Sequence, residues 1–143
     1  MIRPLSPLEA DDVGRTLGLA RLLQGDGEYL VAWEGTMPIG HVHVTHTTPP
    51  ELQDLEVHGA YRRRGIATSL LDAAEAACTA RGDRRVLVEV SVDNPAARAL
   101  YALRGYVDAG VAPRRVVGTV QVRTGPIEVD DTLLTLVKTL EGP

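Results

Sequence analysis

The sequence predicts an α/β (α+β) fold: a mixed, mostly antiparallel sheet of about seven strands, with one parallel pair and helices on both faces. Three observations carry that expectation. A strand–helix–strand unit spans residues 51–91 and requires a parallel pair joined by a right-handed crossover. Other apolar segments are strand-length and separated by Gly- and Pro-containing turns, as in antiparallel hairpins. Two helix starts carry the same cap-plus-proline signal, Ser6-Pro7 and Asn94-Pro95.

In chain order, Ser6 caps a first helix, Pro7 suits its first position, and Glu9 completes a capping box. Leu17, Ala20 and Leu23 give it an apolar stripe, and Gly25-Asp26-Gly27 ends it. Strands follow over about 29–34 and 39–47, joined through Gly35-Thr36-Met37-Pro38 as a β-hairpin. A third strand, about 51–58, alternates. Glu51, Gln53, Leu55 and Val57 are assigned to one face, and Leu52, Asp54, Glu56 and His58 to the other. Gly65 leads into a helix over about 66–81, with Ile66, Leu70, Ala74, Ala77 and Cys78 on its buried stripe and Gly82 at its end. Residues 85–91 form a strand with Val86, Val88 and Val90 on one face. The Asn94-Pro95 helix stops at Gly105. Two last strands, about 116–122 and 132–140, are antiparallel, and the connection from Arg123 onward is irregular. The full order is β-α-β-β-β-α-β-α-β-β, in one domain covering residues 1–143.

Composition narrows the function. With 143 residues and 44% apolar content the chain can bury a real core, and 15 basic against 19 acidic side chains leave a net charge of −4. That balance argues against non-specific nucleic-acid coating, which needs positive charge to displace counterions. Trp33, four tyrosines and no phenylalanine are too few for base stacking. A single cysteine, Cys78, excludes an internal disulfide framework and points to a reducing compartment. No run approaches the roughly 18 apolar residues that span a bilayer, and the N-terminus lacks an apolar signal core. The expectation is a cytoplasmic protein binding neither membrane nor nucleic acid.

The informative stretch is Val57-His58-Gly59-Ala60-Tyr61-Arg62-Arg63-Arg64-Gly65-Ile66-Ala67-Thr68. A strand ends, three arginines and a glycine follow, and a helix begins. Amide groups at such a turn converge on one point, and the helix terminus adds about half a positive charge. Small residues at Gly65 and Ala67 let an anion reach the main chain, while the arginines and the Thr68 hydroxyl donate. Physically this is a pyrophosphate cradle. It is neither a P-loop nor a three-glycine dinucleotide fingerprint. At this point a basic surface turn before an ordinary helix stands as the alternative.

A second constellation changes the balance: Leu87-Val88-Glu89-Val90, then Asn94-Pro95-Ala96-Ala97-Arg98-Ala99-Leu100-Tyr101, then Gly105-Tyr106. The chain resembles the GNAT N-acetyltransferase superfamily. The family's first motif, Arg/Gln-x-x-Gly-x-Gly/Ala, is matched by Arg62, Gly65 and Ala67. Its second, Asn-x-x-Ala-x-x-Leu-Tyr-x-x-x-Gly-Phe/Tyr, is matched by Asn94, Ala97, Leu100, Tyr101, Gly105 and Tyr106. The resemblance covers about residues 29–140. It implies acetyl-CoA, as acyl donor, bound between parallel strands at about 51–58 and 85–91. The pantetheine arm would pair with main chain at Leu55, Glu56 and Val57. The pyrophosphate would sit on the amides of Arg63, Arg64, Gly65, Ile66, Ala67 and Thr68, beside Arg62. The adenosine end would lie near the helix carrying Asn94 and Ala97.

The resemblance further implies direct attack of a primary amine on the thioester in a ternary complex, with Tyr101 as general acid to the departing thiolate. A phenol, with its pKa near 10, stays protonated at neutral pH and suits that leaving group. A main-chain N–H of the third strand, at Val57 or a neighbour, would polarise the carbonyl. For the base two candidates stand. Glu51 resembles the strand glutamate that takes a proton in some family members. Glu89 lies twelve residues before Tyr101, as does the base of some protein N-terminal acetyltransferases. Glu56, assigned to the opposite face from Glu51, is the weaker choice. Cys78, on a buried helical stripe, is a core residue rather than a nucleophile. His41 and His43 share a strand face that His46 leaves, so no metal is expected; His58 is a strand-end residue and Trp33 belongs to core or cleft wall.

The sequence also departs from the pattern. Only residues 6–28 are available where relatives often have two helices, so the acceptor side is expected to be open. Asp11, Asp12, Asp54 and Glu56 would favour a cationic acceptor. The tail lacks the paired tyrosines typical of the family's ribosomal-protein N-terminal acetylases. A non-catalytic acyl-CoA-binding module is the alternative function; a metal- or nucleic-acid-binding accessory protein would have to rest on the histidines and the arginine triplet. Acceptor identity and the choice of acetyl or longer acyl donor stay open. For assembly a homodimer is the prior, because symmetric dimers are common.

Overall fold

A computed structural model describes residues 1–17, 27–122 and 125–141. The chain runs β1 (Ile2–Pro4), a 3-10 turn (Pro7–Glu9), α1 (Ala10–Leu17), β2 (Gly27–Glu34), β3 (Met37–Thr45) and β4 (Glu51–Val57). After a 3-10 turn (Gly59–Tyr61) come α2 (Ile66–Ala80), β5 (Arg85–Ser91), α3 (Pro95–Leu103), β6 (Val107–Asp108), β7 (Arg114–Val122) and β8 (Gly125–Thr139). The strands form one eight-stranded sheet in the order β1-β2-β3-β4-β5-β8-β6, with β7 also on β8. Every pairing is antiparallel except β4 with β5.

Local signals mark several of the helix ends. At Ser6 the hydroxyl accepts from the Leu8 N–H at 3.3 Å, and the Glu9 carboxylate returns a bond to the Ser6 N–H at 3.2 Å, forming the expected capping box. It opens a 3-10 turn rather than the α-helix itself, which starts at Ala10. Ala20 and Leu23 lie outside the described residues. Asn94 caps α3 by accepting from the Ala97 N–H at 3.0 Å. The end of α2 is a Schellman closure: Gly82, at φ +90°, donates to Thr79 O, and Asp83 donates to Cys78 O.

The sheet has two unequal faces. Leu30 and Ala32 of β2, Val42 and Val44 of β3, Leu52 of β4 and Val86, Val88 and Val90 of β5 pack against Leu70, Leu71, Ala74 and Cys78 of α2 and against Tyr101 and Tyr106. On the other face α1 lays Val13 and Leu17 over Tyr29 and Val31. Behind the main core, the carboxylate of buried Glu75 accepts from Tyr106 Oη (2.9 Å) and Lys138 Nζ (2.6 Å) and pairs with Arg104 (3.1 Å). A buried charge is tolerated there because it is fully paired. It ties α2, the end of α3 and β8 together.

The structure adds detail to the sequence reading at four further points. The β2–β3 turn is only Gly35-Thr36, and Pro38 lies inside β3 opposite Trp33, where the register slips and no regular ladder bond is required of it. The two-residue β6 brings the sheet to eight strands. The stretch from Gly125, expected to be irregular, is the first half of β8, which pairs with β7 along its length. Most important, β4 does not alternate strictly. Gly40 and His41 oppose Val57 and Glu56, whereas His43 and Val44 oppose Gln53 and Leu52, so one extra residue stands at Asp54–Leu55.

Candidate active site

That bulge decides which side chains share a face. Directly opposed residues of an antiparallel pair project to the same side, so Gln53 and Glu56 lie with His43 and His41 on the α1 face. Glu51, two residues before Gln53, joins them. Leu55 and Val57 pack instead against the α2 core beside Leu52. Glu51 is therefore on the face opposite to Leu55 and Val57, and Glu56 is on the same face as Glu51; a one-residue insertion inverts both assignments made from alternation.

The bulge also marks where two strands part. β4 pairs with β5 only through Glu51–Leu87 and Leu52–Val88, after which the parallel pair splays. The His58 N–H is spent on Ile39 O across β3. Because bonding direction alternates along a strand, the main-chain groups of Leu55 and Val57 point into the gap. The Val57 carbonyl is already met by Arg62 Nε at 3.3 Å.

Beyond the gap stands the turn at residues 62–65. Arg63 (φ +64°) and Gly65 (φ +76°) are both left-handed, and Gly65 is the N-cap of the 15-residue α2 with no side-chain cap. The first helical bond is Ser69 N–H to Gly65 O. The amides of residues 63–68 meet no backbone or side-chain acceptor among the described residues. Residues 62–65 are exposed, and a Cβ added at Gly65 would meet nothing within 4 Å, so space for an anion exists in front of the amides. Arg64 reaches Glu34 at 3.4 Å and lies over the Tyr61 ring, while Thr68 is exposed. These donors fit a diphosphate. Asn94 spends its side-chain carbonyl on the helix cap, and Ala97 is half-buried against the core.

On the α1 face Glu51 and Glu89 are brought together. Burial, then the neighbouring Glu89 charge, pushes the Glu51 carboxyl above the usual carboxylate range; the Gln53 amide and Arg114 oppose the shift. Glu89 is gripped by Arg114 through two bonds, Nε at 3.1 Å and Nη2 at 2.7 Å. Arg114, the charge that holds Glu89, was not among the residues expected from sequence; no local pattern links positions 89 and 114. A second group on this face joins His41, Asp54 and Glu56, whose ligating atoms all lie within 4.8 Å of one another. His41 and His43 are buried beside Tyr29, and His46 is exposed beyond the end of β3.

Tyr101 is on the opposite face, buried in the α2 core with its ring edge-on to Tyr106 at 5.3 Å. Burial alone pushes its phenol up, so it keeps its proton throughout the neutral range. Cys78 is wholly buried and its thiol is pushed up to about 11, chiefly by desolvation, which removes it as a nucleophile. Among the described residues no helix is long and apolar enough to cross a membrane.

A parallel pair that opens beside an amide cradle, with ionisable groups on both faces, is built to hold a diphosphate-bearing ligand. The acetyltransferase (GNAT) family model matches residues 4–106. A mycothiol acetyltransferase of Corynebacterium glutamicum (strain R) is 34% identical over 87 residues, covering 59% of this chain and 30% of that protein. The matched stretch thus spans under a third of the curated relative. In fold, the ribosomal-protein-S18-alanine N-acetyltransferase from Escherichia coli superposes with a TM-score of 0.75 at 14% identity, over 100% of this chain and 95% of that one. A GNAT family acetyltransferase from Elizabethkingia anophelis, with acetyl-CoA bound, superposes with a TM-score of 0.72 at 17% identity, over 98% and 97%. The chain belongs to the acetyltransferase (GNAT) family, whose acyl donor is acetyl-CoA.

Proposed function

We propose that this protein transfers the acetyl group of acetyl-CoA to a primary amine by direct attack within a ternary complex. The observation that carries the reading is the run of amides at residues 63–68 that meet no acceptor among the described residues, placed at the start of α2 and beside the splay of β4 from β5. Those amides, with Arg62 to Arg64, would hold the pyrophosphate, and Leu55 and Val57 would pair with the pantetheine arm. The thioester arrives already activated, so no enzyme nucleophile is required.

Glu51 is the residue we assign as base. It takes the proton of the attacking amine, directly or through a water, and its raised pKa makes it a stronger proton acceptor than an exposed carboxylate. Glu89, held in place by Arg114, supports it by raising its pKa through repulsion rather than sharing its task. A main-chain N–H at Val57 or its neighbour would donate to the thioester oxygen, and Tyr101 would return a proton to the leaving thiolate. Carboxylates on the α1 face suit an acceptor that arrives as an ammonium ion.

Acetyl-CoA at about 100 times its dissociation constant is expected to stabilise the fold by about 2.7 kcal/mol through mass action. Gly65→Val should abolish most of that gain, because a β-branched residue is strained at φ +76° and its methyls would crowd the anion site. An unshifted melting temperature for the wild type at saturating donor would refute the cradle. Thiol release measured over a panel of amines, amino acids and peptides then tests transfer. Stabilisation without release from any acceptor would identify a non-catalytic acyl-CoA-binding module instead.

A further inference from the structure

We propose that Asp54, held by Tyr29, is a positioning residue that sets the opening between β4 and β5; its consequence for rate rests on the acetyl transfer proposed above. Asp54 sits at φ +54°, in the left-handed region where residues other than glycine are uncommon and Asp and Asn are the usual exceptions. It is the residue at which the β3–β4 register slips, and the pairing of β4 with β5 ends two residues before it. Its carboxylate reaches across β3 to accept from Tyr29 Oη at 2.8 Å.

The anchor is well fixed. Tyr29 is buried on β2, packed with Val13 and Leu17 of α1, and the rings of His41 and His43 stand edge-on to it at 5.7 and 4.8 Å. His41 Nδ1 lies 3.8 Å from the same carboxylate oxygen. One strained residue is thus tied, two strands away, to a part of the core that packing immobilises. Immediately downstream, Leu55 and Val57 turn their main-chain groups into the gap. If the bulge relaxed, those groups would shift and every side chain after residue 54 would be free to exchange faces. Asp54 need touch neither substrate to govern the rate; it acts through the strand that follows it.

Four single variants separate this role from a charge contact and from mere stability. Tyr29→Phe keeps the ring and removes the bond; Asp54→Gly keeps the backbone preference and removes the bond; Asp54→Ala removes both. Asp54→Asn keeps both, since asparagine accepts the left-handed conformation and offers an amide oxygen. Removal of one hydrogen bond is expected to lower kcat about tenfold in Tyr29→Phe and in Asp54→Gly. Asp54→Ala is expected to lose about 10²-fold, the order that a small misplacement can cost. In all three the acceptor KM should change less than about twofold, and Asp54→Asn should stay within about threefold of wild type in kcat. The Tyr29→Phe/Asp54→Gly double variant should lose no more than either single change, as two halves of one contact do.

Wild-type kcat in Tyr29→Phe, or Asp54→Asn as impaired as Asp54→Ala, would overturn the proposal, and so would an effect confined to KM. Amide exchange gives a readout independent of turnover. The Glu56 and His58 amides, on the β3 side, should exchange faster in Tyr29→Phe and Asp54→Gly but not in Asp54→Asn. Unchanged exchange in Tyr29→Phe refutes the clamp even if no amine is ever acetylated, whereas faster exchange in a chain without turnover upholds the clamp and rejects only the function.

Discussion

Glu51→Gln is expected to lower kcat by about 10²–10⁴-fold, the range associated with a positioned general base. Binding of acetyl-CoA, read by thermal shift, should be spared, because Glu51 faces α1 while the amide cradle lies at the start of α2. The pH profile discriminates further. A base works only when ionised, so the rate falls as pH drops through the raised pKa of Glu51, and the acidic limb lies above that of an ordinary glutamate. Glu89→Gln removes a charge that raises Glu51 and should move the limb to lower pH. Arg114→Gln removes a charge that lowers it and should move the limb to higher pH. A Glu51→Gln variant with normal turnover, or limbs that do not move in these senses, would leave Glu51 out of the reaction. Stability carries the opposite sign. The folded state holds this proton more tightly than the unfolded chain, so stability is lost as pH rises from the unfolded pKa through the folded one. Glu51→Gln should therefore melt higher than wild type near pH 7 and show no such gain at about pH 3. The slower variant is thus expected to be the more stable one near pH 7.

Tyr101→Phe is expected to reduce kcat by about 10²-fold, the lower end of what a general acid contributes. The ring stays packed against Tyr106, so melting temperature and donor-induced stabilisation should be preserved. Because burial keeps the phenol protonated well past neutrality, wild type should show no basic limb attributable to Tyr101 in the neutral range. Single-turnover measurements isolate the effect from product release. Normal single-turnover rates in the phenylalanine variant would remove Tyr101 from the chemistry.

Much of this architecture is legible locally. Caps at Ser6 and Asn94, the glycine stop at Gly82 and the turn at Arg62–Gly65 involve residues within a few positions of each other, and each stands where the sequence expects it. What alternation missed was a change of phase. Read strictly, β4 mixes Glu51 and Gln53 with Leu55 and Val57. The apolar positions 52, 55 and 57 switch from even to odd, and that switch is the trace a bulge leaves in sequence. It was visible, and it reverses Glu56. β8 was obscured differently: Pro126 and the pair Asp130-Asp131 resemble loop chemistry, yet the strand survives because its first half pairs with β7 as a largely exposed ribbon. The contacts Arg114–Glu89 and Tyr29–Asp54 each join positions 25 apart in sequence, and only the folded sheet brings them together.

The residues assigned as base and acid lie on opposite sides of one sheet and can meet only through its opening. Donor and amine would then enter by separate doorways, and neither blocks the other's approach. Such an enzyme should bind its two substrates in random order, with spent coenzyme competing against the donor and not against the amine.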